Sequence, residues 1–174
     1  MPVEAIALSD VDDRYLDVAE ADDLAARLPA LSAYRAASAD DRAAALVQAT
    51  ADIDSAMPYQ GRPYAAGQRL AFPRWNDPAA DRAGVGTVWA FDDETATAVV
   101  PDDVKQATLH QADAILAGAR EARLSAQHDG VVYELTGGVA ESYKATPGPG
   151  VPTGLCRRAW VLMRRYRLSA GRLA

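Results

Sequence analysis

The sequence predicts a mainly α protein: a small helical bundle with an extended β-hairpin arm and a tethered C-terminal helix. Three observations predict it. Apolar residues recur at helical spacing in stretches starting near residues 20, 40, 101 and 155. Between residues 129 and 144 the pattern changes to period two, the spacing of a strand pair. The nine residues Thr146 to Gly154 then hold three Pro and three Gly, so they form a linker and set the last stretch apart.

Residues 1–18 read as irregular. The first helix opens near Glu20 in EADDLAARL, where acids crowd the positive end of the helix dipole, and Pro29 stops it. A short helix fits Ala30 to Ala37. The clearest helix runs from Asp40 to Met57. Ser38 and Asp41 form a capping-box-like start, Leu46, Thr50, Ile53 and Met57 share helical spacing, and Pro58 ends it.

Tyr59 to Trp75 starts as a turn punctuated by Gly61, Pro63 and Gly67, with room for one or two helical turns over 65–70. Pro73 restricts Phe72 to extended geometry. Residues 76–100 read as a loop with short strands at Val85–Phe91 and Ala96–Val100. Pro101 suits the first turn of the next helix, and Asp102 and Asp103 suit its dipole. That helix should end between Gly118 and Arg123. Val104, Ala107, Thr108, Ala112, Ile115, Leu116 and Ala119 lie on one broad face, largely opposite Lys105, Gln106, His110 and Asp113.

VVYEL and VAESYKA flank TGG as a hairpin. The last helix spans Leu155 to Leu168 and is ended by Gly171. Its stripe of Leu155, Ala159, Leu162, Met163 and Tyr166 faces away from Arg157, Arg158, Arg164 and Arg165, and must dock either on the chain's own core or on a neighbouring subunit. The expected organisation is a helical body over residues 1–128 with a 76–100 loop insertion, an arm and linker over 129–154, and the C-terminal helix over 155–174.

Composition narrows the function classes. The chain of 174 residues is 49% hydrophobic but only 7% aromatic, so alanine carries much of the apolar count and the core should be thin. One Cys excludes an intrachain disulfide, and one Cys with two His argues against a structural zinc site. No run of about 18 apolar residues suggests a membrane span, and the start lacks a basic signal-peptide region. The expectation is a soluble protein of a reducing compartment.

The net charge of -6 is unevenly placed. Residues 1–60 carry 12 acids and 4 bases, residues 61–154 carry 12 acids and 8 bases, and residues 155–174 carry 6 Arg and no acid. The basic end suits a phosphate backbone or an acidic neighbour, or it is a solvated helix face.

No catalytic constellation emerges. His110 and His128 lack metal-ligand partners at motif spacing, and His110 reads as a solvated helix residue. Cys156 has arginines nearby in sequence but no partner base. Asp92, Asp93 and Glu94 lack calcium-loop spacing, and the glycine pairs lack a phosphate-loop context. No enzyme activity, cofactor or metal is expected.

Several segments carry a resemblance: AALVQATADIDSAM, a helix ending in an Ile-Asp pair, followed by YQGRPYAAGQRLAFPR, then VVPDDVKQATLHQADAIL, the GVVYEL…ESY segment, the Pro/Gly linker and the Arg-Arg-Tyr-Arg ending. In these segments the chain resembles a family of tailed-bacteriophage head–tail connector (adaptor) proteins, whose members are often labelled DnaT-like single-stranded-DNA-binding proteins. Together the segments cover about two thirds of the chain, in order. The resemblance implies a structural virion protein at the neck between head and tail, made in the host cytoplasm. It would form a ring, a dodecamer in the better-studied relatives, beneath the portal protein and above a stopper or tail-terminator protein. DNA would be cargo in the channel, with no membrane partner.

Under that reading, Leu155, Arg157, Arg158, Leu162, Met163, Arg164, Arg165 and Tyr166 would bind the portal. Tyr59, Gly61, Arg62, Gln68, Leu70, Phe72, Pro73 and Arg74 would form a subunit interface, or a turn-and-core unit of the monomer. Trp75 and Trp89 are either interface anchors or partly buried under the loop, and Tyr133 and Tyr143 either pack in the hairpin or meet a partner. A thin core suits a subunit covered by its neighbours. The alternative is a single-stranded nucleic-acid-binding protein, which needs a basic, aromatic groove.

Overall fold

A computed structural model describes residues 13–76, 88–92, 94, 97–118, 133–136, 139–142 and 154–168. The expectation of a mainly α protein holds. Helix α1 (Val18–Arg27) is capped by Asp17, whose side chain accepts from the Glu20 N–H at 2.7 Å. Helix α2 (Ser32–Ala36) has no side-chain cap of its own. Asp113 of a distant helix accepts from the Tyr34 N–H at 2.9 Å and does that work instead.

Helix α3 (Ala39–Ala56) begins with the expected cap. The Ser38 hydroxyl accepts from the Asp41 N–H at 3.2 Å and donates to its carboxylate at 2.6 Å. Strands β1 (Arg62–Pro63) and β2 (Arg74–Trp75) pair antiparallel, as do β3 (Phe91–Asp92) and β4 (Thr97–Ala98). Helix α4 (Asp102–Leu116) follows Pro101 and stops two residues before Gly118, whose φ is 70°. Strands β5 (Tyr133–Thr136) and β6 (Val139–Ser142) form the expected hairpin, with Tyr133 opposite Ser142 and Thr136 opposite Val139. Helix α5 (Arg157–Met163) runs into a 3-10 turn (Arg164–Tyr166). The linker up to Thr153, the end of the hairpin with Tyr143, and Gly171 lie outside the described residues.

Two buried clusters hold these elements. One joins Leu16, Ala21, Ala25, Leu31, Tyr34, Ala45, Leu46, Ala49, Leu109 and Ala112 from α1 through α4. Half of these are alanine, so the helices meet through small side chains. The other joins Tyr15, Ile53, Met57, Tyr59, Phe72, Val104 and Ala107 to Leu155, Ala159, Met163 and Tyr166.

This second cluster decides between the two docking places the sequence left open for the last helix: its apolar stripe packs on the chain's own core and not on another protein. Leu155, Met163 and Tyr166 are at most 1% exposed inside the chain's own core. Leu162 also packs against that cluster. Burying such side chains is worth about 1.5–3 kcal/mol each, so intramolecular docking wins. The short helix allowed over 65–70 is a turn, closed by the Gln68 N–H on the Ala65 carbonyl.

A buried glutamine fastens α5. Gln111 on α4 is fully buried. Its amide donates to Asp52 at 2.8 Å and to the Gly154 carbonyl at 2.6 Å, and its oxygen accepts from the Cys156 N–H at 2.8 Å. Cys156 caps α5, with its sulfur accepting from the Ala159 N–H at 3.4 Å.

His110 sits beside this joint, half-buried rather than solvated. Burial lowers its pKa, Arg158 across on α5 lowers it further, and Asp113 on its own helix raises it. The unfolded chain therefore takes up the His110 proton more readily than the folded one. Its stabilising contribution is complete above the ordinary histidine pKa and is lost as pH falls below it. Melting temperature should drop on acidification from neutral pH to about pH 5, near the lower end of the range in which histidine changes charge. In His110→Gln the drop should be smaller; an identical pH profile would show that His110 carries none of it.

Candidate nucleic-acid interface

The loop between α3 and β2 is built by side chains that satisfy its own backbone. Arg74 donates to the Gln60 carbonyl at 2.9 Å, to Gly61 at 2.7 Å, to Ala71 at 3.1 Å and, at 3.4 Å, to Tyr59. Gln68 donates to the Leu70 and Pro73 carbonyls at 2.7 and 3.0 Å and accepts from the Ala65 N–H at 3.3 Å. A loop cannot pair its polar groups by secondary structure alone, so these two side chains replace a ladder. Burial lowers the Arg74 pKa, while Tyr15, Tyr59 and Asp54 raise it. It starts so high that the guanidinium stays charged.

Beneath the loop, Phe72 lies edge-on to Tyr15, Tyr59 and Tyr166, with ring centroids 6.1, 5.0 and 5.1 Å away. The Tyr15 hydroxyl donates to Asp54 and accepts from the Phe72 N–H at 3.2 Å, and the Ala71 N–H donates to Asp54 at 3.0 Å. The Tyr59 hydroxyl donates to the Ile53 carbonyl. Burial pushes the Tyr15 and Tyr59 hydroxyls well above the ordinary tyrosine range, and the Asp54 charge adds to this. Burial also raises the Asp54 carboxyl, against the hydrogen bonds from Tyr15 and Ala71 and the charge of Arg74.

The outer side of this unit is aromatic and basic. Tyr64 stacks on Trp75 with centroids 5.1 Å apart and planes 29° from parallel. The Arg62 guanidinium lies 5.5 Å from the Trp75 ring centroid. All three side chains are partly exposed, and the Trp75 indole N–H donates to the Tyr64 carbonyl at 3.3 Å. Arg69 stands exposed on the same loop. The Trp89 N–H donates to the Arg74 carbonyl at 3.3 Å, its ring meets Tyr166 edge-on at 4.9 Å, and Phe91 two residues on is 51% exposed.

The C-terminal segment closes the edge. Gln60 N–H donates to the Tyr166 carbonyl at 2.7 Å, the Gln60 amide to the Arg167 carbonyl at 2.7 Å, and Leu168 N–H to the Pro58 carbonyl at 2.9 Å. Arg157, Arg158, Arg164 and Arg165 are exposed, and Arg165 pairs with Asp103 at 2.6 Å.

The residues singled out in the sequence thus divide. Tyr59, Gln68, Leu70, Phe72, Pro73 and Arg74 form the turn-and-core unit, and Gly61 lets β1 approach β2. Arg62 belongs to the outer surface with Trp75. Sequence reasoning missed Tyr64, whose two-residue offset from Arg62 only gains meaning once β1 pairs with β2. It also missed Gln111 and Tyr15, isolated polar residues with no motif spacing, and noticed Asp54 only as part of the Ile53–Asp54 pair in the resemblance. Among the described residues, no three His, Cys, Asp or Glu converge as a metal site, and no helix is long and apolar enough to cross a membrane.

Fold and surface together define a small helical protein that presents a stacked aromatic pair beside arginine on a braced loop. Residues 3–154 match a family model described as "Putative DnaT-like ssDNA binding protein", and the chain belongs to that DnaT-like family. No curated protein and no solved structure matches the chain. The expected head–tail connector role is corrected by this match: the family is described by single-stranded DNA binding, and nothing found supports a connector. The portal, stopper and ring partners and the virion neck location rested on that role alone.

Proposed function

We propose that the protein binds single-stranded DNA on the surface formed by Arg62, Tyr64 and Trp75, without catalysis and without a cofactor or metal. The observation that carries this reading is the partly exposed Tyr64–Trp75 stack with Arg62 against it. Unpaired bases offer π-faces that stack on aromatic rings whatever their sequence, and arginine adds cation–π and phosphate contacts. Arg74 and Gln68 hold the platform loop in shape before any ligand arrives, which lowers the ordering cost of binding. The family description supports the same ligand class.

Fluorescence anisotropy with a labelled oligothymidylate tests it. Wild-type protein should bind at low salt in preference to duplex DNA. Tyr64→Ala and Trp75→Ala should each weaken binding by about 1–3 kcal/mol, roughly 5- to 150-fold. Absence of wild-type binding, or full affinity in both variants, would sink the proposal.

A further inference from the structure

We infer that the outward face of α5 is a phosphate track that extends the aromatic platform, so that a bound strand lays its backbone along Arg157, Arg158 and Arg164. This rests on the single-strand reading above and adds where the backbone runs. The family match ends at residue 154, before α5, so the family description does not supply it.

The orientation of α5 is fixed. Leu155, Ala159, Met163 and Tyr166 are buried in the core, which leaves Arg157, Arg158, Val161, Arg164 and Arg165 outward. Arg165 is engaged by Asp103 and lies against the Tyr166 ring, with its guanidinium 4.7 Å from the centroid. Among the described residues, Arg157, Arg158 and Arg164 have no carboxylate in ion-pair range. Residues 155–174 contain no acid at all. Seven positions of helix separate Arg157 from Arg164, about 10 Å, enough for successive phosphates.

The face is also joined to the platform. Immediately after Arg164 and Arg165, the chain pairs with Pro58 and Gln60 through Tyr166, Arg167 and Leu168. Gln60 and Gly61 are gripped by Arg74, and Arg62 follows against Trp75. Basic side chains therefore lead from α5 to the stacking pair on one connected edge. Residues 13–60, with 9 acids against 4 bases, disfavour a polyanion on the rest of the helical body.

The occupant is a single-stranded phosphodiester backbone, and salt dependence reads it directly. Each phosphate contact on a single strand contributes about 0.7 to the slope of log affinity against log salt. In the full-length variant R157Q/R158Q/R164Q, oligothymidylate binding should show a slope smaller by about 2. Between about 50 and about 200 mM salt the wild type should then lose roughly 20-fold more affinity than the variant. Trp75→Ala should weaken binding with the slope unchanged, which separates platform from track. Matching melting curves establish that the triple variant is folded.

An unchanged slope in the triple variant, with Trp75→Ala still impaired, overturns the track and leaves the platform standing. The same slope together with lost self-association in light scattering would instead make the face a protein contact. No wild-type binding overturns both.

Discussion

Gly61→Ala should cost about 2–4 kcal/mol of folding stability, measured by urea unfolding, and should abolish whatever binding the platform supports. Gly61 has φ 71°, a region where a side chain is strained, and an added Cβ would lie 1.7 Å from the Trp75 carbonyl oxygen. The atom in the way is backbone, so no rotamer change relieves it. The accommodation must separate β1 from β2, and that separation also moves Arg62 away from Trp75. Gly67, also at positive φ but with open space around it, is the control: alanine there carries the strain without the clash. Stability of Gly61→Ala within about 0.5 kcal/mol of wild type would refute the account.

Gln111→Leu should be almost as damaging, at about 2–4 kcal/mol, although it keeps an aliphatic side chain of similar size. It removes the Gln111 hydrogen bonds to the Gly154 carbonyl, the Cys156 N–H and Asp52. Each hydrogen bond lost at this half-buried joint costs about 0.5–1.5 kcal/mol, and more where the charged Asp52 is the acceptor. The loss should be local first: amide exchange over 157–166 should accelerate more than over α3. Uniform acceleration across both helices would show that Gln111 does not fasten α5 in particular.

The helices were legible because their signals are local. Ser38 and Asp41, Pro58, Pro101 and the spacing of Leu46, Thr50 and Ile53 each act within a few residues; α3 begins and ends, and α4 begins, close to where those residues place them, while α4 ends at Leu116, before the expected stretch from Gly118 to Arg123. The destination of α5 was not legible. An amphipathic stripe states that it must be covered, not by what, and the Pro/Gly linker made a distant partner as reasonable as the chain's own core. The alanine content misled in the same way. It suggested missing burial, whereas alanines at the α1–α4 contacts make close helix packing.

The candidate site was legible only in part. Arg62 and Trp75 drew notice as motif and anchor residues, but their juxtaposition depends on a two-residue strand pair that Gly61 permits. Gln68 and Arg74 carry the look of surface chemistry, yet they spend their hydrogen bonds on carbonyls of their own loop.

Phe72 contacts both Tyr15 and Tyr166, so the beginning and the end of the described chain meet on one ring. Synthesis reaches those partners at very different times. The alanine-rich cluster closes between residues 16 and 112, and a growing chain can assemble it first. The aromatic cluster has to wait for Tyr166 to leave the ribosome. Until then Tyr15, Phe72 and Val104 lack the α5 residues that cover them, and the half-built molecule shows a greasy flank to the cell. Completion is therefore a late event joining distant parts of the chain, which makes maturation slower than helical content alone would suggest.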